Sequence, residues 1–298
     1  MIVRVLGSAA GGRVPQWNCA CPNCAAARAG SQPRRSSSSF AFSSTGERWW
    51  LVNVSPDIAQ QIEAHPPLWP RTGRGTPIAG MLLTDANVDH VGGFAVLRQA
   101  GDHRFETYSS ATVRDIVTAQ EAFAVFAAAP HVWRVAPPGA TLELESGLRA
   151  CVVPLAGLTP GYAGRRATGD AVVGYQIFDD TTETNVLFAP VFRDVTEALL
   201  AAAATATAAF FDGSFWSDDE LGAVGVDKLA RALGHAPIGG LSGSLAFLGP
   251  VAGGRRFFAH VNNTNPILAP HSQEARKLAR AGFEVAEDGL VLDLRAGS

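Results

Sequence analysis

The chain is 298 residues long, with 24 basic and 27 acidic side chains, a net charge of −3 and an apolar fraction of 47%. That balance excludes a disordered chain, which needs low hydrophobicity with high net charge, and the near-neutral charge excludes the positive field of a nucleic-acid binder. The length allows two units, but sandwiches of this size are commonly one and no linker divides the sequence, so a single domain over 1–298 is expected.

Residues 2–6 read as an opening strand. They are too short for the apolar core of a secretory signal, which makes the cytoplasm the expected compartment. The Gly-rich turn at 7–12 lacks both the GxGxxG order and the Lys-Ser/Thr of a phosphate-binding loop. Cys19, Cys21 and Cys24 follow in a CxCxxC pattern. Three thiols so close cannot all pair, and a reducing compartment opposes disulfides, so a structural Zn²⁺ is expected in a loop at 15–30. The fourth ligand stays open between His271, a polar group near Asn263 and a neighbouring subunit. Cys151, in the apolar run 150–153, is expected in the core.

A serine run at 36–39 leads to strands at 40–42 and 49–53, and residues 57–64 read as a helix with Ser55 as its cap and Pro56 at its first position. Beyond a Pro/Gly/Arg loop at 66–77, an apolar strand at 79–83 ends abruptly in polar residues. Further strands are expected at 104–108, 141–144, 150–155, 172–178, 186–189, 208–211, 256–259 and 290–294, and helices at 92–99, 112–126, 194–205, 226–234, 242–247 and 272–281. The most apolar stretch, 198–211, is shorter than the roughly 20 residues a bilayer crossing needs. It reads as a buried helix running into a strand, and no membrane span is expected. Strand runs separated by helices fit two sheets packed face to face with helices outside, an α+β sandwich.

The segment Thr84-Asp85-Ala86-Asn87-Val88-Asp89-His90 joins a buried strand to a glycine-marked helix entrance. So many polar groups at a strand end are costly to bury unless they are solvated or bind an ion. Asp89 and His90 can offer one ion a hard oxygen and a borderline nitrogen; alternatively, Asp89 caps the following helix. Two later apolar runs also end in polar side chains, one at Asp212 and the other at His260. Ends of neighbouring strands share one rim of a sheet, so Asp89, His90, Asp212 and His260 can meet around a metal that keeps an open position. Tyr162, Arg165 and Arg166 form a loop suited to an acidic substrate, whereas His65, His103 and His131 are expected to be solvated.

The segment from Thr84 resembles the HxHxDH signature of the metallo-β-lactamase superfamily, with Asp85 and Asn87 where the first two His would stand. Phe211-Asp212-Gly213-Ser214-Phe215 and His260 are similar to its later metal motifs, but Pro154-Leu155-Ala156-Gly157-Leu158-Thr159-Pro160 has no His for the third. Three further runs narrow the resemblance: Leu6-Gly7-Ser8-Ala9-Ala10-Gly11-Gly12, the cysteine segment from Pro15, and His260-Val261-Asn262-Asn263-Thr264-Asn265-Pro266. With them the chain, from first strand to last helix, resembles the family of B proteins of pyrroloquinoline quinone (PQQ) biosynthesis.

This resemblance implies an αββα four-layer sandwich and a role in making PQQ from a ribosomal precursor peptide. It implies iron- and O₂-dependent hydroxylation of the tyrosine ring of a Glu-Tyr-derived intermediate. Fe(II) would be held by Asp89, His90, Asp212 and His260, with Asp85, Asn87 and His235 in supporting catalytic roles; Asp85 would orient a ligand or accept the ring proton, and His235 would assist proton transfer. Two alternatives accompany it: a carrier that moves PQQ or its precursor to the periplasm, and a zinc-dependent hydrolase. The missing third-motif His disfavours two-zinc hydrolysis, in which both ions share a nucleophile. Expected partners are the other PQQ biosynthesis proteins and a second copy of the chain, forming a homodimer near the cysteine cluster.

Overall fold

In β1 (Ile2–Gly7), Val3 and Val5 face one side with Phe40, Phe42 and Trp50, while Ile2 and Leu6 face the other with Trp49 and Leu51. This period of two identifies a strand buried on both faces. The computed structural model describes residues 1–251 and 253–295; residues 252 and 296–298 of the expected domain lie outside them.

The first sheet contains β1, β2 (Ser39–Ser43), β3 (Trp49–Val52), β4 (Ile78–Leu82), β5 (Glu106–Ser109) and β6 (Val132–Val135), with the last strand, β14 (Val291–Asp293), beside β1. The second runs in order from β7 (Thr141–Glu145) through β8 (Leu148–Pro154), β9 (Val173–Asp179), β10 (Thr184–Ala189), β11 (Ala208–Asp212) and β12 (Arg255–Ala259) to β13 (Phe283–Val285). Each sheet is antiparallel over its earlier strands and turns parallel from β3 to β6 and from β10 to β13. Between them lies a phenylalanine stack in which the Phe210 ring sits 5.0 Å from Phe40, 5.5 Å from Phe188 and 5.0 Å from Phe257.

Helices cover both outer faces. α2 (Ile58–Glu63), α3 (Val88–Val91), α4 (Phe94–Leu97) and α5 (Ala111–Thr118) bury Ile58, Val91, Phe94 and Val113 against Leu51 and Met81. On the other side α6 (Glu197–Thr205), α8 (Ser244–Leu248) and α9 (Gln273–Arg280) bury Leu199, Leu245 and Leu278 against Phe211, Phe258 and Phe283. The layers are αββα, as the resemblance implied. The apolar stretch at 198–211 is a helix running into a strand, and no helix among the described residues is long and apolar enough to cross a membrane.

Several local readings are corrected. Residues of the cysteine loop form a helix, α1 (Pro22–Ala29), with Pro22 at its start and Gly30 closing it at φ 77°. β6 and β13 were not expected; they are short parallel edge strands. The helix expected at 112–126 stops at Thr118, and the chain turns so that Phe123 and Phe126 reach the Phe94 ring at 6.1 and 4.5 Å. Tertiary packing there overrides alanine propensity. The helix expected at 226–234 is only α7 (Ala230–Leu233), because Asp218 fixes its start by accepting from the Arg231 amide at 2.9 Å. α2 starts later than expected, with Asp57 at its cap position, and the Ser55 hydroxyl accepts from the Asp57 amide at 3.2 Å while donating to Gln61 Oε1 at 2.8 Å. His65 and His131 are buried rather than solvated: His65 Nδ1 lies 2.6 Å from the Gln61 carbonyl, and His131 stacks on Phe126. His103 is half-buried against the Ile78 carbonyl, and Cys151 is half-buried on β8 rather than in the core.

Candidate metal centre

Parallel register between β11 and β12 pairs Asp212 with Ala259, so Asp212 and His260 leave adjacent strand ends together. Across the sandwich, β4 delivers Thr84 and Asp85 to the same rim. That crossing is tied by the Val173 amide to the Thr84 carbonyl at 2.8 Å and by the Tyr175 hydroxyl to the Leu83 carbonyl at 3.0 Å. Asn53, at φ 62°, holds Thr84 through its amide and hydroxyl, both at 2.9 Å. Gly11 of the first loop closes against Asp89, where an added Cβ would stand 3.0 Å from the carboxyl carbon.

Asp85 is fully buried and has no free direction. Its Oδ1 accepts from the Asn87 amide and side chain at 2.9 and 2.8 Å, and its Oδ2 accepts from Thr84 at 2.9 Å and faces His90 Nδ1 at 2.6 Å. A carboxylate on one imidazole nitrogen directs the other outward and raises its basicity. That other atom, His90 Nε2, is buried and has no hydrogen-bond partner among the described residues. A buried orphan nitrogen is costly unless something binds it. It faces Asp89 Oδ2 at 3.8 Å, and His260 Nε2 lies 3.1 Å from the same oxygen.

The donors form two overlapping triads, Asp89–His90–His260 and Asp212–His235–His260, each with ligand atoms within 4.8 Å of one another. The expected set of four therefore converges on one rim, sharing His260. His235, expected to assist from outside the ligand set, stands among the donors, with Nδ1 2.8 Å from Asp212 Oδ2. Ser214 links this half: its hydroxyl donates to Asp212 Oδ1 at 2.6 Å and lies 2.8 Å from His260 Nδ1 and 3.0 Å from His235 Nδ1. The Ser214 oxygen therefore ties both rings to the Asp212 carboxylate at their Nδ1 faces. His260 holds φ 55°, a left-handed conformation that costs a non-glycine residue about 1–3 kcal/mol and is sustained here by its surroundings.

Electrostatics follow from this packing. Burial opposes charge on His90, but Asp85 and Asp89 outweigh it and lift the ring to about 9. Burial likewise works against ionised Asp85, Asp89 and Asp212, yet the neighbouring imidazoles hold all three below the usual carboxylate range. Burial also opposes charge on the half-buried His235, yet Asp212 raises it. Three carboxylates facing three imidazoles thus form a seat for positive charge, filled by ring protons or by a cation. The orphan nitrogen and the mixed oxygen–nitrogen donors fit a divalent transition metal.

A second cluster lies on the cysteine segment, where the Cys19, Cys21 and Cys24 sulfurs are also within 4.8 Å of one another. Asn263 Nδ2 reaches the Cys21 and Cys24 sulfurs at 3.5 and 3.3 Å, and Asn23 ties the Asn263 and Asn265 carbonyls at 2.9 Å each. His271 is exposed and does not join the cluster among the described residues. The sequence reading missed Asn53, Ser214 and Gly11 as builders of the rim. Small polar residues and glycine carry no local mark of such a role, although Ser214 lies inside the Asp212 motif.

Residues 48–261 match the β-lactamase superfamily domain. The chain is 41% identical to the coenzyme PQQ synthesis protein B of Methylobacterium nodulans, with 97% of this chain and 99% of that protein aligned. With the protein of the same name from Ruegeria pomeroyi it shares 35% identity over 99% of this chain and 100% of that one. Among solved structures it aligns with Zn²⁺-bound PqqB from Methylobacterium extorquens at a TM-score of 0.92 and 39% identity, covering 98% and 100% of the two chains. A diphosphatase of the PhnP family shares the fold at a TM-score of 0.71 with 18% identity, covering 98% and 96%.

Proposed function

The chain belongs to the coenzyme PQQ synthesis protein B family within the β-lactamase superfamily, and from that premise we propose that it hydroxylates the tyrosine ring of a Glu-Tyr-derived PQQ precursor with iron and O₂. The observation that carries this reading is the Asp89–His90–His260 triad with its orphan His90 Nε2. Asp89, His90 and His260 would hold Fe(II), and Asp212, whose two oxygens already take the Ser214 hydroxyl and amide, the Phe192 amide and His235, would orient the imidazoles. Bound iron would supply the one-electron chemistry toward O₂ that protein side chains lack. In balance, an aromatic C–H becomes C–OH with one atom of O₂. The other leaves as water, with two electrons from an external reductant and two protons.

The chain's own residues orient and move protons. Asp85, with both oxygens occupied, fixes His90 and is not free to accept the ring proton. Ser214 and Asp212 hold the Nδ1 faces of His235 and His260. His235, the most exposed of the three imidazoles, takes the proton that the substrate ring loses, at Nε2.

The cysteines bind a structural Zn²⁺, and the chain forms a homodimer at this end in the cytoplasm. Trp17, 88% exposed beside the cysteines, and the half-exposed Val224 and Val226 across a 520 Å³ cleft support that contact. Against zinc hydrolysis, Asp85 and Asn87, at the positions resembling the first two His, are bonded to each other and to His90 rather than offered to a second ion. Anaerobic loading with Fe(II) or Zn(II), followed by substrate, reductant and air, tests the reading. Oxygen uptake with product in the iron sample alone is expected; equal turnover with zinc overturns it.

A further inference from the structure

After β8, residues 156–167 double back on themselves, with a bridge between Leu158 and Ala167 and the Thr159 amide bonded to the Arg166 carbonyl at 2.9 Å. The hairpin is fastened on both sides to segments that carry rim residues. On one, the Tyr162 hydroxyl donates to the Ala86 carbonyl at 2.5 Å, between Asp85 and Asn87. On the other, Arg165 Nη1 donates to the Ala232 carbonyl at 2.6 Å, three residues before His235. The strap therefore spans from the segment of Asp89 and His90 to the segment of His235.

Its charge opposes that of the rim. Arg165 and Arg166 are exposed, and both touch backbone carbonyls only, with no carboxylate partner among the described residues. Each uses one guanidinium nitrogen there and keeps further N–H donors free. The segments that the strap joins carry Asp85 and Asp89 on one side and, through His235, Asp212 on the other, and these carboxylates repel an anionic ligand. Tyr162 lies within that field: burial, then Asp85 and Asp89, push its phenol up to about 12. An acidic substrate entering an acidic rim needs cations at the mouth, and the planar arginine fork matches a carboxylate with two parallel hydrogen bonds.

We infer that the 156–167 strap is the substrate-recognition element, in which Arg165 and Arg166 bind substrate carboxylates while Tyr162 pins the strap to the rim segment at Ala86. The inference rests on the proposed reading of an acidic tyrosyl substrate.

Its test compares Glu-Tyr, with two carboxylates, and Gln-Tyr amide, with none, by anaerobic binding to the Fe(II)-loaded protein. The wild type is expected to bind Glu-Tyr at least about tenfold tighter. The double variant Arg165→Ala, Arg166→Ala should lose that preference at unchanged iron content, and Arg165→Lys, Arg166→Lys should restore part of it. The wild-type preference should also shrink as salt rises. No preference in the wild type, a salt-independent one, or one that survives in a folded alanine double variant overturns the inference. A wild type that prefers Glu-Tyr through these arginines yet hydroxylates nothing upholds the inference and removes the hydroxylase reading instead.

Discussion

Asp85 shows how one buried side chain sets the chemistry of another. It takes hydrogen bonds from Thr84 and twice from Asn87, and its last direction goes to His90 Nδ1. Asp85→Ala should free the His90 ring and weaken metal binding by about 10–100-fold, read by metal titration. Unchanged affinity would show that His90 is placed by packing alone. Asp89 and His90 were legible in the sequence because two donors adjoin at the end of an apolar run. Ser214 and Asn53 were not, because their roles depend on partners brought close only by strand register. His235 stood out as a histidine, but only the fold places it against Asp212.

At the scale of elements, the turn after β12 joins the two clusters. His260 serves the rim, Asn263 touches the Cys21 and Cys24 sulfurs, and Asn265 Nδ2 donates to the Gly213 carbonyl at 2.8 Å beside Asp212. Cys21→Ser should lose the bound zinc, read by metal analysis, and zinc retained in full would remove the cysteines from that role. Glu220 braces the same turn, accepting from Thr264 at 2.5 Å and from the Trp216 amide at 2.6 Å. Burial pushes its carboxyl up from 4.5 to about 7. A raised carboxyl binds its proton more tightly when folded, so its contribution to stability is complete below about pH 4.5 and is lost as pH rises through 7. Glu220→Gln, neutral throughout, should flatten the decline of stability between about pH 4.5 and 7, measured by denaturant titration across pH. An unchanged slope would assign the decline to other groups. α1 escaped the sequence reading because its metal-ligand pattern masked helix signals that were present, Pro22 at the start and Gly30 at the end.

For the whole molecule, the core between the sheets holds the rim together, since Asp89 and His90 hang from one sheet and Asp212 and His260 from the other. Phe210 is the centre of that core, and Phe210→Ala should cost about 3–5 kcal/mol in denaturant unfolding. A loss below about 1 kcal/mol would mean that the sheets do not depend on the aromatic stack. The sandwich was legible because strand and helix periods alternate cleanly along the chain. Edge strands β6 and β13 were not, because three or four residues carry too little pattern and their pairing is fixed by neighbours distant in sequence. The proposed reaction would place one atom of O₂ on a tyrosine ring, with Asp89, His90 and His260 holding the iron. The most direct measurement is mass spectrometry of the product formed under ¹⁸O₂ by the Fe(II)-loaded protein with reductant and the Glu-Tyr-derived substrate. One ¹⁸O atom per new hydroxyl group is expected, and its disappearance in Asp89→Ala. Product whose new oxygen comes from water, or labelled product made equally well by Asp89→Ala, would contradict it.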